Sequence, residues 1–290
     1  MLIDIVISSV WLTVRHCRRG LSRRLVIVST FDRVSGEYSE KSLVQRKAAS
    51  KLFDLLEVRG DESTLDVACG PGHITRWLAE ATTGRVVGTD ISQGMVNEAG
   101  SLYPDIEFRC LAAEDIDYNG EFDVVLCNSA LQWFSDAPKA MRAMFTSLKS
   151  PGKVGVGCPA TYEFAPWFGR IVMAAARRPE IGEVFQHWRS PWFQLPAVSD
   201  YQAFLEGSGF ETAYIQLDHE VDSLSVEEAY GIYNTGAAQG FAGKSYYDIE
   251  IDDDYIEAFG RAVREEMEES ATGGKVEVDF NRLYYVGLKR

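Results

Sequence analysis

Two carboxylates and a pair of glycines stand at a spacing that suits nucleoside binding. Asp66 lies within an apolar run, Gly70 and Gly72 follow it, and Asp90 comes 20 residues after Gly70. A tight turn before a helix lets the backbone approach a ligand closely, and a carboxylate at the tip of the next strand can bind ribose hydroxyls. These residues therefore predict a nucleoside site.

The same residues indicate which nucleoside is bound. A dinucleotide site requires the pattern G-x-G-x-x-G, but Thr75 stands at the third glycine position. The carboxylate of Asp66, next to the turn, attracts a cationic amino group and repels phosphate. A dinucleotide oxidoreductase is therefore disfavoured, and a generic strand–helix turn with glycines for packing is the remaining alternative.

The string DVACGPG at 66–72 resembles motif I, D/E-x-G-x-G-x-G, of the S-adenosylmethionine-dependent methyltransferases. Ala68 takes the place of the first glycine, which costs little unless that residue needs a positive φ. DISQGM at 90–95 is similar to the family's D-x-S-x-x-M/L string. The resemblance implies S-adenosyl-L-methionine as cofactor, with Asp90 on both ribose hydroxyls and Met95 packed on the adenine.

The chain departs from the family after the third predicted strand. Ala112 stands where the family usually has an acidic residue that binds the adenine amino group. We expect adenine to be read by the backbone amide of Ala113 and by Glu114 or Asp115, although either carboxylate could equally be a loop charge. The complete predicted cofactor site comprises Tyr38, Asp66, Ala68, Gly70, Gly72, Asp90, Ile91, Met95, Ala113, Glu114 and Asn128.

The string NSALQWF at 128–134 follows the fourth predicted strand, where ligands bind in open α/β sheets. It resembles S/N-x-x-x-Q/H-W of the malonyl-carrier-protein, trans-aconitate, plant salicylate/jasmonate and juvenile hormone acid methyltransferases. These families methylate free carboxylates, and in the plant group the matching tryptophan donates its indole N–H to the substrate carboxylate. Trp133 has that donor and no competing acceptor. The alternative is that Trp133 only packs in a cap.

YSEKSLVQRK at 38–47 resembles the plant segment Y-x-x-x-S-x-x-Q-x-K, in which the glutamine amide is the second donor to the carboxylate. Gln45 is the matching residue, unless it is a solvated helix residue. A carboxylate is already anionic at pH 7, so no general base is required. Gln45 and Trp133 are therefore positioning residues. His187 and Tyr162 are weak base candidates for a phenol or amine substrate.

Residues 160–198 are rich in aromatic side chains and arginines, which can line a pocket and bind a second carboxylate. Core aromatics with surface arginines are the alternative. The predicted substrate contacts are Gln45, Gln132, Trp133, Tyr162, Trp188 and Arg189.

The order of elements predicts an α/β fold, because strands and helices alternate as in a parallel sheet covered on both faces. Strands are expected at about 63–68, 85–90, 105–110, 121–127, 152–158, 210–219 and 275–288, and helices at about 42–56, 73–82, 93–101, 136–149 and 199–207. The resemblance implies a Rossmann-like seven-stranded methyltransferase sheet whose last two strands form an antiparallel edge pair. We assign residues 31–290 to this domain, with a helical cap from the N-terminal helix and insertions at about 160–198 and 224–270.

The composition excludes some functions. A net charge of −14 over 290 residues argues against nucleic acid as a substrate, because binding phosphates requires lysines and arginines. The five cysteines form no C-x-x-C pair and the four histidines show no metal-ligand spacing. This favours a reducing, cytoplasmic setting without a structural metal.

Residues 1–30 combine an apolar start with a cluster of arginines. The apolar run is shorter than the ~20 residues needed to span a bilayer. We expect an N-terminal extension that either contacts a membrane surface or simply lies outside the catalytic fold, or else a mis-called start, and no stable membrane span.

Two further functions stay open. The chain could instead methylate a carbon, nitrogen or phenolic oxygen of a quinone or natural product. It could also be a non-catalytic module that only binds a nucleoside.

Overall fold

The computed structural model describes residues 43–290, with side chains from residue 48 onward. Its seven strands are β1 Thr64–Val67, β2 Val86–Asp90, β3 Glu107–Cys110, β4 Phe122–Asn128, β5 Leu148–Pro159, β6 Glu211–Ser225 and β7 Lys275–Lys289. Its α-helices are α1 Leu43–Leu56, α2 His73–Ala81, α3 Gln93–Leu102, α4 Ala137–Ser147, α5 Pro166–Ala175, α6 Pro179–Phe185, α7 Val198–Glu206, α8 Val226–Thr235, α9 Ala237–Phe241 and α10 Asp253–Ser270. Short 3-10 helices occur at Ala113–Asp115, Leu131–Trp133 and Lys244–Tyr246.

The strands form one sheet in the order β3-β2-β1-β4-β5-β7-β6. β1 to β5 are parallel to one another, whereas β7 is antiparallel to both β5 and β6. The predicted α/β seven-stranded sheet and its antiparallel edge pair are therefore confirmed. β6 is longer than the predicted 210–219 because its residues up to Ser225 continue to pair with β7.

The centre of the sheet is buried on both faces. β1 is buried along its whole length and β4 along nearly all of it, which explains their continuous apolar sequences. α1 covers one face, where Leu56 lies over Gly155 and Leu52 lies over Gly157. Burying each such side chain contributes roughly 1.5–3 kcal/mol.

A second hydrophobic cluster lies in the cap. It joins residues of α5, α6, α8, α9 and α10 with the N-terminal half of β7, and aromatic side chains make up nearly half of its buried residues. Both predicted insertions, 160–198 and 224–270, contribute to it. The predicted domain boundaries stay a prediction, and residues 1–30 lie outside the described part of the chain.

The chain order reverses between β1 and β4, since β2 and β3 lie on one side of β1 while β4 and β5 lie on the other. In open α/β sheets such a switch point opens a crevice at the carboxyl ends of the strands. The loops after β1, β2 and β4 meet there. Within residues 43–290, every helix is too short or too polar to cross a bilayer.

Candidate functional site

The carboxylate of Asp66 is buried in β1, with 2% of the residue exposed. Thr75, one turn into α2, donates its hydroxyl to Asp66 Oδ2 at 2.7 Å. The pKa of Asp66 is raised from 3.8 to about 7: burial is the main cause, the hydrogen bond from Thr75 opposes it, and the negative charge of Asp90 adds to it. A cation placed beside this carboxyl would favour its ionised form.

The turn after β1 has a left-handed backbone at three positions. Gly70 has φ +54, Gly72 has φ +83, and Ala68 has φ +58. A side chain on Gly72 would also meet the ring of Phe108 at 2.8 Å, so only glycine fits there. Ala68 therefore has the positive φ at which alanine is unfavourable. A non-glycine residue in this region is strained by roughly 1–2 kcal/mol.

The amides of this turn are already engaged within the protein. Gly70 N donates to Asp90 Oδ2 at 2.9 Å, and Gly72 N donates to Cys69 O at 3.1 Å. A pyrophosphate would need such amides for itself. This arrangement supports the sequence-based preference for a nucleoside without a phosphate bridge.

Asp90 ends β2 and is 8% exposed. Its second oxygen, Oδ1, accepts the amide of Ser92 at 2.9 Å. These two bonds hold the carboxylate at the tip of β2, where an anionic acceptor can bind hydroxyl groups. This geometry fits the predicted contact with a ribose.

The predicted adenine wall lies on the β2 and β3 side of the crevice. Met95 is buried at the start of α3, where Ser92 Oγ accepts its amide at 3.1 Å. Ile91 is half-buried and Ala113 is buried in the 3-10 helix after β3. Their contacts with adenine stay predictions.

Glu114 has a structural role that the sequence did not indicate. The residue is 5% exposed, and Oε1 accepts the amide of Ser135 at 2.9 Å, the hydroxyl of Ser135 at 2.7 Å and the amide of Asp136 at 3.1 Å. Asp115 instead forms a surface ion pair with Lys139 at 3.0 Å. Glu114 thus connects the adenine wall to the loop after β4.

The opposite end of that loop is held by an arginine on β7. Ser129 has φ +58, donates its amide to Gly157 O at 2.6 Å, and receives a bond of 3.0 Å from Arg282 Nη1 on its hydroxyl. Arg282 is 4% exposed and is paired in register with Pro159, the last residue of β5. Asn128 is buried beside it, with Oδ1 over Gly157.

The middle of the loop carries the predicted substrate residues. Gln132 is buried and donates Nε2 to Ser129 O at 2.8 Å. Trp133 is half-buried, and its ring meets that of Trp192 in a T-shaped contact with centroids 6.0 Å apart. Trp133 therefore lies at the carboxyl edge of the sheet and also contacts the cap, so the structure contains features of both sequence-based interpretations.

The backbone of α1 places position 45 near the same edge. Leu56 lies over Gly155 and Leu52 lies over Gly157. The N-terminal part of α1 therefore points toward the carboxyl end of β5. Position 45 lies seven residues, or about 10 Å, further along, whereas β5 continues only about 7 Å beyond Gly157. The role of Gln45 stays a prediction, and Tyr38 lies outside the described residues.

Two of the predicted substrate residues in the cap have partners within the protein. Trp188 is 6% exposed, donates its indole N–H to Gly240 O at 2.9 Å and stacks on Phe185. Arg189 is an exposed side chain paired with Asp248. The contacts of these two residues favour the alternative of core aromatics and surface arginines.

The two base candidates differ in position. His187 Nδ1 lies 2.7 Å from Asp248 Oδ1, and both side chains are partly exposed. Tyr162 is half-buried just after β5.

Sequence reasoning missed Arg282, Ser129 and Gln194. Arg282 lies on the last strand, far along the chain from the motifs. Ser129 lies within the NSALQWF string, but no separate role was predicted for it. Gln194 lies in an irregular segment with no pattern. A buried-strand position occupied by arginine, as at 282, is the one signal that could have been used, because charged residues are rarely fully buried.

Among the described residues, a cavity of about 320 Å³ lies between α8, α9 and α10 and is lined by Tyr230, Tyr233, Asn234, Phe259 and others. No residue of the strand-end loops lines it, so it is separate from the candidate site.

Known proteins resemble this chain in sequence. Residues 64–152 match the family described as "Methyltransferase domain". The chain is 33% identical over 127 residues to a malonyl-[acyl-carrier protein] O-methyltransferase of Acetivibrio thermocellus, covering 42% of this chain and 45% of that protein. It is 27% identical over 209 residues to the trans-aconitate 2-methyltransferase of Deinococcus radiodurans, covering 69% and 74%. The chain spans about half the length of most curated relatives that it matches.

A solved structure shows the same fold. The 1,6-didemethyltoxoflavin-N1-methyltransferase of Burkholderia thailandensis, determined with 1,6-didemethyltoxoflavin and S-adenosylhomocysteine, has a TM-score of 0.55 at 12% identity and covers 95% of this chain and 91% of its own. The predicted resemblance to class I S-adenosylmethionine-dependent methyltransferases is confirmed, and S-adenosylmethionine is the cofactor it implies.

Proposed function

We propose that this chain is an S-adenosylmethionine-dependent methyltransferase that esterifies a carboxylate on a small molecule or an acyl carrier. The observation that carries the proposal is the loop after β4. It follows the strand at the same edge as Asp66 and Asp90, it is fixed at both ends by Arg282 and Glu114, and it presents Trp133.

The residues of the crevice fit the cofactor. Two buried carboxylates, Asp66 and Asp90, suit an ammonium group and a pair of ribose hydroxyls respectively. When bound, S-adenosylmethionine supplies an electrophilic methyl group on a sulfonium.

The protein then has to hold the acceptor rather than activate it. A carboxylate is ionised at neutral pH, so the role of Trp133 and Gln45 is to orient one oxygen and to replace part of its hydration. Orientation of this kind can supply roughly 7–11 kcal/mol. Trp133 contacts Trp192 of the cap, which holds the indole ring in place.

Methylation of a carbon, nitrogen or phenolic oxygen is the alternative within the same class. A phenol or ammonium acceptor needs a base, for which the sequence offers only the weak candidates His187 and Tyr162, whereas a carboxylate acceptor needs none. The carboxylate acceptor is therefore favoured. The cytoplasmic setting and the exclusion of nucleic acid stay predictions from composition.

The test is a screen of carboxylic acids and malonyl carrier protein with a labelled methyl donor. The double variant Gln45→Leu, Trp133→Phe should lower esterification more than ~100-fold, because both donors to the anion are removed, while calorimetry should show S-adenosylhomocysteine bound within about twofold of the native affinity. The surface variant Gln202→Leu, whose amide bonds only Glu206, is the control. Unchanged turnover in the double variant would reject the carboxylate assignment, and cofactor binding without any turnover would favour a non-catalytic module.

A further inference from the structure

Two glutamines beside the loop after β4 have buried amide atoms that lack partners. Gln132 Oε1, Gln194 Nε2 and Gln194 Oε1 are all shielded from solvent and make no hydrogen bond to any part of the chain that the structure describes. Buried polar atoms in proteins nearly always have a partner, so such atoms point to a bound water or a ligand. Leucine or methionine would fill the same volume without leaving polar atoms unpaired.

A backbone hydrogen bond joins the segments that carry the two glutamines. Phe193 N donates to Gln132 O at 2.7 Å, which fixes the segment around residue 194 against the loop. Phe193 and Leu195 pack against the core beside the sheet, whereas Trp192 contacts Trp133. Gln194 directly follows Phe193, whose amide is bonded to Gln132, so the two glutamines lie close together along the chain's path beside this loop.

The bonding of Gln132 defines the chemistry that it offers. Its Nε2 already donates to Ser129 O at 2.8 Å, so the free atom is the carbonyl oxygen, an acceptor. Gln194 offers both a donor and an acceptor. The matching ligand group must therefore donate a hydrogen bond to Gln132 and can also accept one from Gln194.

A second carboxylate cannot meet this requirement because it has no proton to donate, and a hydrocarbon chain can neither donate nor accept. A hydroxyl or an amide does both. Because these atoms are shielded from solvent, such a bond would be stronger than one at the surface.

We propose that Gln132 and Gln194 form a specificity subsite that binds a hydroxyl or amide group of the substrate, next to the carboxylate held by Trp133. This inference rests on the proposed function, because it describes a second part of the same acceptor. It makes the substrate an acid that also carries a hydroxyl or an amide.

The experiment compares decanoic acid, its hydroxy derivatives at successive carbons, and amide-containing acids of the same length. Turnover is measured as kcat/KM with a labelled methyl donor, and binding is measured as a thermal shift in the presence of S-adenosylhomocysteine. We expect the native protein to favour at least one hydroxy or amide acid over decanoic acid by about tenfold, the value of one net hydrogen bond to a buried group. The best member of the series distinguishes the hydroxyl from the amide.

The variants Gln194→Leu and Gln194→Met should reduce this preference to about one, and the second variant covers a folding failure of the first. The surface variant Gln202→Leu should keep the native preference. If the native protein binds and turns over all the acids equally, or if the preference survives in Gln194→Leu, the subsite is wrong and the amides are satisfied by water. If the binding preference is present without methyl transfer to any acid, the subsite stands and the proposed function fails.

Discussion

The two sides of the crevice are built by different means. On the β1 and β2 side, backbone conformation and backbone amides make the site: Gly72 leaves no room for a side chain, and Asp90 is held by the amides of Gly70 and Ser92. On the β4 side, side chains make it: Trp133 packs on Trp192 of the cap. A backbone-made site accepts one ligand shape, whereas a side-chain-made site can change its specificity by single substitutions.

One carboxylate connects the two sides. Glu114 follows β3, on the side assigned to adenine, yet its Oε1 accepts three hydrogen bonds from Ser135 and Asp136. The difference between the two sides therefore suggests three experiments that separate them.

Among these three experiments, the largest effect is expected from Glu114→Ala. Removing three hydrogen bonds from the loop after β4 should lower kcat by about 30-fold, because small displacements of a positioned group are costly, while S-adenosylhomocysteine affinity should change less than about threefold. Steady-state kinetics and calorimetry measure the two quantities.

Two matched variants support that experiment. Glu114→Gln keeps one acceptor oxygen and should recover part of the rate, and Asp115→Ala, which removes a surface ion pair with Lys139, should have almost no effect. If Glu114→Ala instead loses cofactor affinity and keeps kcat, Glu114 reads the adenine, as the sequence suggested.

A smaller effect is expected from pH on the cofactor side. Burial raises the pKa of Asp66 to about 7, so below about pH 7 the carboxyl is protonated and no longer attracts an ammonium group. S-adenosylhomocysteine affinity should fall about tenfold between about pH 8.5 and about pH 5.5. Calorimetry across that range measures it.

The variant Asp66→Asn should have a flat pH profile. The raised pKa also affects the stability of the unliganded protein. Above about pH 7 the buried, ionised carboxylate lowers the free energy of unfolding, and this loss disappears as the pH falls toward 3.8. Asp66→Asn should therefore stabilise the unliganded protein at about pH 8 and not at acidic pH. An equally steep profile in the variant would assign the dependence to another group.

The smallest effect concerns Ala68. Its φ of +58 is relieved by glycine, so Ala68→Gly should raise the free energy of unfolding by about 1 kcal/mol in urea denaturation. Ala143→Gly, within α4, is the control of opposite sign and should cost about 1 kcal/mol. Equal destabilisation by both substitutions would show that the turn is not strained.

The sequence by itself determined the sheet and the cofactor half of the site. Alternating strands and helices place Asp66, Asp90 and the loop after β4 at one edge, because the carboxyl ends of parallel strands coincide. Local geometry was sufficient there, since the glycine turn and the carboxylates lie within a short stretch of chain. The one local uncertainty, the backbone conformation of Ala68, needed the structure.

Only the tertiary structure decided the substrate half. Arg282 meets Ser129 across 153 residues of sequence, and Phe193 meets Gln132 through a segment without periodic pattern. Whether Trp188 and Arg189 line a pocket or form core and surface also depended on long-range packing with Gly240 and Asp248. Composition and spacing report which residues are present, but the partner of a buried polar group is set by the fold.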